Sequence, residues 1–211
     1  MTALVYTLQP DQICIAMDTL VVSAQDKTPL SFQRKFLSLP QYNLLIAGTG
    51  HVGFINGWFD YVSSINNING IDDLNSIAPS ILSDSVKAGG GLSDNTATLY
   101  HFGYSKTEAK YIGYAYRSTS NYIADRLEYA LGFKPYVEIR ECNKIEFPGF
   151  LIEIIQEQQR QDSLLPINQQ VGIGGEIDFA KLENQTIYIE TVHRFKTYEN
   201  ELKYIEKHKK A

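Results

Sequence analysis

The chain opens with MTALVYTL (residues 1–8), turns through QPDQ (residues 9–12) and continues as ICIAMD (residues 13–18). Apolar side chains occupy both faces of the first stretch and nearly all of the third. A strand that is apolar on both faces is covered on both faces in the folded protein. Pro10 and Asp11 are typical turn residues, so the two apolar stretches are expected to pair as a hairpin.

Thr2 directly follows Met1. If Met1 is removed, Thr2 carries a hydroxyl and a free α-amine on the same residue. The hydroxyl can then attack a carbonyl, and the α-amine, whose pKa is about 8, can accept the hydroxyl proton near neutral pH. The alternative is an ordinary chain terminus. Thr2 is therefore a candidate nucleophile that depends on a free terminus.

Two charged residues lie where predicted strands meet loops. Asp18 ends the apolar run 13–17, and Lys35 precedes the apolar pair Phe36-Leu37. A buried Lys–Asp pair beside Thr2 would favour the deprotonated hydroxyl and lower the pKa of the α-amine toward working pH. The alternatives are a turn residue for Asp18 and a solvated surface residue for Lys35.

These features resemble a known family. The β-subunits of the proteasome and of its bacterial HslV-like two-ring relative are N-terminal-nucleophile (Ntn) hydrolases with similar residues in the same order. The resemblance is carried by Thr2, by Ala16-Met17-Asp18-Thr19, by Lys35 and by Ile46-Ala47-Gly48. Its residue-level part covers roughly the first 50 positions, while the order of elements is similar over most of the chain. Lys35 stands one residue later than the family spacing.

The resemblance implies a fold and a set of roles. The fold is an α+β protein, a four-layer αββα sandwich. Thr2 would be the nucleophile, Asp18 and Lys35 the charged pair beside it, and the backbone N–H of Gly48 an oxyanion donor.

The resemblance also implies supporting residues. A serine that follows the third hairpin supports the N-terminal threonine in the family, and Ser118 or Ser120 stands there; an ordinary loop or helix cap is the alternative. The family also has an Asp-Ser pair after its last long central helix, which matches Asp162-Ser163. The sequence departs from the pattern at Ile173, where a serine is expected, and this leaves the role of Asp162 open.

The substrate pocket implied by the resemblance has small or apolar residues. They are Leu20, Ile46 and Gly50. An apolar side chain on the acyl side of the cleaved bond is the expectation that follows.

Composition restricts the class of protein. The 211 residues predict a single domain, residues 1–211, and the 44% hydrophobic content is enough for a sizeable core. The formal net charge of −5 and the lack of a basic face before the last residues argue against nucleic acid as a partner.

Cysteine and histidine usage argues against disulfides and metals. Cys14 and Cys142 make no disulfide framework and fit a reducing compartment, so the expected localisation is cytoplasmic. The four histidines lack metal-ligand spacing, and no metal or cofactor is expected. No signal peptide or membrane helix is predicted, so no membrane partner is expected.

The remaining elements follow from hydrophobic periodicity. The strands are predicted at residues 3–8, 13–22, 30–39, 42–49, 96–104, 109–117, 136–140, 171–182 and 186–195, with the first four forming one unit. The first helix is predicted to follow Thr49, which would be its N-cap. Four further helices are predicted at residues 72–87, with a kink or split at Pro79, and at residues 122–131, 148–160 and 198–210. A flexible connector or bulge is predicted at residues 89–91, Gly-Gly-Gly.

Three functions are compatible with these patterns. The leading hypothesis is a threonine-type Ntn hydrolase, a threonine protease that cleaves amide bonds in peptides. The second is a catalytically silent structural subunit of a proteasome-like ring, and the third is a non-peptide amidase on the same fold. The family resemblance further predicts a homo-oligomer, specifically a ring.

Overall fold

A computed structural model describes residues 2–88, 92, 96–139 and 146–209. Met1, the predicted connector at residues 89–91, the end of the predicted strand at Arg140, and Cys142 lie outside the described residues. Within them the chain forms three antiparallel sheets and four α-helices. The helices are α1 (Val52–Ser64), α2 (Ile71–Ala88), α3 (Gly149–Asp162) and α4 (Tyr198–Lys209).

The first sheet has five strands in the order β10-β1-β2-β11-β12. Its strands are β1 (Leu4–Leu8), β2 (Gln12–Asp18), β10 (Leu131–Lys134), β11 (Glu176–Glu183) and β12 (Thr186–Arg194). The predicted hairpin is confirmed, with Leu4 opposite Met17 and Leu8 opposite Ile13. Both faces of β1 and β2 are buried, as the apolar pattern predicts.

The second five-stranded sheet has the order β5-β6-β7-β8-β9. Its strands are β5 (Phe36–Leu39), β6 (Leu44–Gly50), β7 (Ala97–Ser105), β8 (Lys110–Arg117) and β9 (Ala124–Arg126). The third sheet pairs only β3 (Leu20–Val22) with β4 (Pro29–Phe32).

Three apolar clusters hold these elements together. One packs α1 and α2 on the second sheet through residues such as Trp58, Leu74 and Leu99. Another packs α3 on the first sheet through Leu151, Ile155 and Ala16. The last contains buried residues from both five-stranded sheets: Leu4, Ile13, Ile15, Met17, Leu45, Ala47 and Phe102. Buried apolar area on this scale is the main stabilising contribution to such a fold.

Two predicted long strands are in fact broken, and the predicted four-stranded unit is wrong. Residues 13–22 divide at Thr19, whose N–H donates to Glu176 O and whose carbonyl accepts from Gln33 N. The chain therefore leaves the first sheet at this residue. Residues 30–39 divide before β5, and β5 and β6 join the second sheet rather than β1 and β2.

The predicted helix at residues 122–131 is absent. Asn121 and Tyr122 have φ angles of 50° and 58°, in the left-handed region, which a starting helix does not tolerate. The chain instead supplies strands to two open sheet edges, because β9 pairs with β8 and β10 pairs with β1. Residues 136–139, predicted as a strand, form no regular element.

Of the two alternatives predicted at Pro79, a kink or a split, the split is absent, since α2 runs through Pro79 as one helix. The N-cap of α1 is His51 rather than Thr49. The His51 Nδ1 atom accepts a hydrogen bond from Phe54 N at 3.1 Å. Thr49 is instead a strand residue in β6.

Candidate active site

The start of the chain brings three of the predicted residues into direct contact. Thr2 Oγ1 donates a hydrogen bond to Asp18 Oδ1 at 2.5 Å. Lys35 Nζ donates to both carboxylate oxygens of Asp18, at 2.9 Å each. The backbone N–H of Ala3 also donates to Asp18 Oδ1, at 2.9 Å. A carboxylate therefore links the threonine hydroxyl to the lysine ammonium.

Lys35 has a complete set of acceptors. Besides the two oxygens of Asp18, its ammonium donates to Leu20 O at 2.6 Å. The side chains of Lys35 and Asp18 are 9% and 0% exposed. Burial lowers the pKa of the Lys35 ammonium, and the Asp18 carboxylate offsets part of that effect. The three acceptors compensate for the water that the ammonium gives up.

Strand ends place these residues. Thr2 precedes β1, Asp18 is the last residue of β2, and Lys35 lies in the break between β4 and β5. Asp18 lies opposite Ile177 in β11, in the middle of the sheet order. Gly174 N, from the loop that enters β11, donates to Asp18 Oδ2 at 3.3 Å.

Gly48 lies at the same site. Its N–H donates to Lys35 O at a long distance of 3.4 Å, so the proposed oxyanion donor already has a weak acceptor. A side chain at this position would collide with Ile55 of α1, since a Cβ atom would lie 2.4 Å from Ile55 Cγ2. The helix and the strand can approach this closely only because residue 48 is glycine.

A pocket opens beside Thr2. Its walls come from the strands around the ion pair and from one face of α1: Leu20, Val21, Val22, Gln33, Lys35, Gly48, Gly50, Val52, Ile55, Asn56 and Phe59. Two of the three predicted pocket residues, Leu20 and Gly50, lie in this wall. The third, Ile46, is fully buried in the cluster under α1 and α2 and is not part of the wall.

The predicted support residues occupy other places. Ser118 Oγ accepts a hydrogen bond from Ala97 N at 3.1 Å, and Ser120 Oγ donates to Arg117 O at 3.2 Å. Among the hydrogen bonds of the described residues, neither serine side chain reaches Thr2 or its two charged neighbours.

Asp162 is buried at the end of α3. Its carboxylate accepts from Val171 N at 2.6 Å and from Gly172 N at 2.9 Å. Two residues further on, Gly174 donates to Asp18. Asp162 therefore anchors the loop that reaches the site and does not touch Thr2 itself.

Most of the pocket wall consists of residues that were not predicted from the sequence. Val52, Ile55, Asn56 and Phe59 share one face of α1 by their helical spacing, and all four line the pocket. Gln33 Nε2 donates to Asn56 Oδ1 at 3.0 Å across this wall. An apolar face of this kind is also typical of a helix that packs on the core. Asn56 within that face was the available signal for a pocket.

Two further properties of the described residues bear on function. No group of three or more His, Cys, Asp and Glu side chains in them is arranged to hold a metal ion. No helix in them is both long and apolar enough to cross a membrane.

No protein-family model and no curated protein matches this chain. Solved structures do. Anbu (ancestral beta-subunit) from Yersinia bercovieri superposes with a TM-score of 0.61 at 12% identity, over 99% of this chain and 94% of that one. The Anbu (Gly-1) mutant from Hyphomicrobium sp. strain MC1 gives a TM-score of 0.63 at 10% identity, over 100% of this chain and 94% of that one.

These neighbours correct the family prediction. Anbu proteins are proteasome-like but form a distinct family, so the assignment to proteasome β-subunits or their HslV-like relative is wrong. That assignment used residues from roughly the first 50 positions, whereas the structural likeness spans nearly the whole chain. At 10–12% identity the likeness shows the fold alone, and the fold is that of the proteasome-like Anbu proteins.

Proposed function

We propose that this protein is a threonine-type N-terminal-nucleophile hydrolase that cleaves amide bonds, foremost in peptides, once Thr2 carries a free α-amine. The observation that carries the proposal is the hydrogen-bonded series Thr2–Asp18–Lys35 beside an apolar pocket. The proposed framework is a four-layer αββα sandwich, which is supported by helices packed on each five-stranded sheet and by the cluster shared between the sheets.

The proposed reaction has two steps. Thr2 Oγ1 attacks the substrate carbonyl and gives its proton to the α-amine, which passes it to the departing amine as the C–N bond breaks. The product is an ester on Thr2, and water then attacks this ester to release the acid and restore the hydroxyl. The N–H of Gly48 would stabilise the oxyanion after exchanging its long bond to Lys35 O for the substrate oxygen.

The charged pair has an electrostatic role in this proposal. The Lys35 ammonium favours the neutral form of the nearby α-amine, and it favours negative charge that develops on Thr2 Oγ1. Asp18 holds Lys35 in place and accepts from the Thr2 hydroxyl. Burial strengthens these interactions relative to water.

The pocket wall supports an apolar side chain on the acyl side of the cleaved bond. Six of its residues are aliphatic or aromatic: Leu20, Val21, Val22, Val52, Ile55 and Phe59. Lys35 already donates to three oxygens and offers little to an anionic side chain. Gln33 and Asn56 add a neutral polar patch to the wall. The proposed preference is therefore for uncharged side chains.

We further propose that the protein assembles with copies of itself, as a ring. Anbu is described as an ancestral β-subunit, which is a component of an assembly. Exposed apolar side chains also follow α3, where Leu164 and Ile167 are 72% and 53% exposed. Exposed apolar residues of this kind are suited to subunit contacts. Light scattering that shows a monomer at micromolar concentration would remove this part of the proposal.

A catalytically silent subunit is the second candidate. The observation in its favour is the Gly48 N–H, which already donates to Lys35 O. A non-peptide amidase would use the same nucleophile and differs from the main proposal only in its substrate.

The deciding experiment combines intact-mass measurement with chemical labelling. Untagged protein should lack Met1, and a peptide β-lactone should increase the protein mass by one inhibitor molecule, attached to Thr2. Thr2→Ala should abolish the adduct, while Thr7→Ala, at a second threonine of the same strand region, should leave it unchanged. A chain that keeps Met1 in nearly all molecules, or a β-lactone adduct that survives Thr2→Ala, would favour the silent subunit.

A further inference from the structure

The turn formed by Gly174 and Gly175 is linked by hydrogen bonds to both members of the charged pair. Gly174 N donates to Asp18 Oδ2 at 3.3 Å. Gly174 O accepts from Leu20 N at 3.2 Å, and Leu20 O in turn accepts from Lys35 Nζ at 2.6 Å. The turn thus holds Asp18 directly and Lys35 through one intervening residue.

A carboxylate from the C-terminal helix lies against this turn. Glu201, in the first turn of α4, accepts from Gly175 N through Oε2 at 2.8 Å. Its other oxygen lies 2.5 Å from the position that a Cβ atom on Gly174 would occupy. The carboxylate can approach the backbone this closely because residue 174 is glycine.

The Gly174 carbonyl, which accepts from Leu20, and the Gly175 N–H, which donates to Glu201, belong to one rigid peptide group. The carbonyl of Gly174 and the N–H of Gly175 are parts of the same planar peptide group. Glu201 holds the N–H side of this plane, and Leu20 N holds the carbonyl side. Gly175 has a φ of +75°, a conformation that glycine allows and that needs external contacts to select it. A charge-assisted hydrogen bond from Glu201 is suited to that selection.

Further contacts dock α4 at this place. The ring of Tyr198 stacks on Phe32 of β4 with centroids 4.7 Å apart, and Phe32 directly precedes the pocket residue Gln33. Phe195 N, just before α4, donates to Gly175 O at 3.0 Å. The start of the C-terminal helix is therefore packed on the turn and on the strand beside the pocket.

We propose that Glu201 is a positioning residue for the Asp18–Lys35 pair, acting through the Gly174–Gly175 peptide group. The consequence for catalysis rests on the proposed function, whereas the consequence for the backbone does not. Without the carboxylate the peptide plane can rotate, Leu20 N loses Gly174 O, and Leu20 O shifts away from Lys35 Nζ. Lys35 then loses its third acceptor, and the charge beside Thr2 is displaced.

The test compares Glu201→Ala with Glu201→Gln and Glu199→Ala. Glu199 also lies in the first turn of α4, but its carboxylate faces Arg194 at 3.9 Å and not the glycine turn. Both alanine variants remove a negative charge from the helix N-terminus, so they share any loss of helix stability. Glutamine keeps an oxygen that can accept from Gly175 N.

Two readouts are measured on each folded variant. Amide hydrogen exchange at Leu20 and Gly175 reports the anchored peptide group. Labelling of Thr2 by a peptide β-lactone, analysed for its maximal rate and its half-saturating concentration, reports the site. Glu201→Ala should speed exchange at both amides and lower the maximal labelling rate at least about tenfold, with the half-saturating concentration nearly unchanged. Glu201→Gln should restore most of the rate, and Glu199→Ala should behave like the parent.

The outcomes separate this inference from the proposed function. Unchanged exchange at Leu20 and Gly175 in Glu201→Ala would overturn the inference whatever the labelling shows. Equal losses of labelling rate in Glu201→Ala and Glu199→Ala would also overturn it, because the effect would then belong to the helix. If the parent is not labelled at Thr2, the proposed function fails, and amide exchange alone decides whether Glu201 positions the pair.

Discussion

Two consecutive cations, Arg34 and Lys35, each pair with a buried aspartate, and the two pairs differ in solvent exposure. Lys35 is 9% exposed and its partner Asp18 is 0% exposed. Arg34 is 49% exposed, and it contacts Asp178 at 3.1 Å with that side chain 7% exposed. Arg34 also lies over the ring of Phe36 at 5.5 Å. Asp18 has four donor groups around it, whereas Asp178 has Arg34 and the hydroxyl of Thr191.

The difference between the pairs teaches what burial requires. A half-exposed guanidinium keeps water as an alternative partner, so its pairing contributes little net stability. A buried ammonium must find every partner inside the protein, and losing one partner leaves an uncompensated charge. Replacing either residue of the Lys35–Asp18 pair should therefore lower the free energy of unfolding strongly. Replacing a residue of the Arg34–Asp178 pair should lower it much less.

The largest expected difference comes from truncating the two cations. Lys35→Ala strands the Asp18 charge and should lower the free energy of unfolding by about 3–5 kcal/mol. It should also abolish labelling of Thr2 by a peptide boronate. Arg34→Ala should cost about 1 kcal/mol or less and label like the parent. Denaturant unfolding and intact mass after labelling measure both effects.

Lys35→Arg separates charge from shape at the same position. A guanidinium stays protonated and is planar, so it should preserve part of the stability and still fail to support labelling. If Lys35→Ala and Lys35→Arg both fold and are labelled like the parent, Lys35 has no role at the site. That result would support the silent-subunit proposal over the hydrolase proposal.

Replacing the aspartates tests the other side of the comparison. Asp18→Asn places an amide N–H₂ among groups that already donate, and it leaves Lys35 without a counter-charge. We expect a loss of about 3 kcal/mol in the free energy of unfolding. Asp178→Asn should cost about 1 kcal/mol, because Thr191 Oγ1 can rotate to accept and Arg34 can turn to solvent. Equal losses in the two variants would remove the distinction between the pairs.

His101 extends the comparison to a buried base without a carboxylate. Burial lowers the pKa of His101 to about 3, and its Nε2 accepts from Trp58 Nε1 at 2.9 Å. Since the folded pKa is below the unfolded value of about 6.5, the unfolded state binds the proton first. This contribution to the free energy of unfolding is therefore fully present above about pH 6.5. It decreases as the pH is lowered, by about 2 kcal/mol at pH 5.

The matched variant for this effect is His101→Gln. Its amide oxygen can accept from Trp58, and it does not titrate. The free energy of unfolding should fall about 2 kcal/mol less between pH 7 and pH 5 in this variant than in the parent. Parallel pH profiles for the two proteins would show that His101 does not titrate on unfolding as stated.

The smallest expected difference is in the response to salt. Raising the ionic strength screens the exposed Arg34–Asp178 pair and should reduce its coupling free energy, measured by a double-mutant cycle, by about 0.5 kcal/mol. The coupling between Lys35 and Asp18 should change less, because both side chains are largely buried. Equal salt dependence would indicate that water reaches both pairs.

Local patterns predicted much of this molecule because they report local physics. The doubly apolar run at residues 3–8 predicted a strand buried on both faces, and β1 confirms it. Thr2 was predicted from its position after Met1, and Asp18 and Lys35 from their positions beside predicted strands; in the structure Asp18 contacts both of the others. Long-range partners were less predictable. In place of a helix at residues 122–131 the chain forms β9 and starts β10, because the open edges of β8 and β1 lie nearby in space, which no local pattern contains.

The sequence by itself determined the chemical groups and the alternation that buries them: a threonine before a doubly apolar strand, an aspartate at the end of its hairpin partner, and a lysine before the next apolar run. Only the tertiary structure decided which cation is buried. Arg34 and Lys35 are neighbours with similar local surroundings in sequence, yet the break between β4 and β5 directs one toward Asp178 and the other toward Asp18. That choice depends on loops from distant parts of the chain, since Gly174 and Leu20 supply contacts that hold the Asp18–Lys35 pair. Burial of a charge is a property of all the elements around it, and the order of residues along the chain does not contain it.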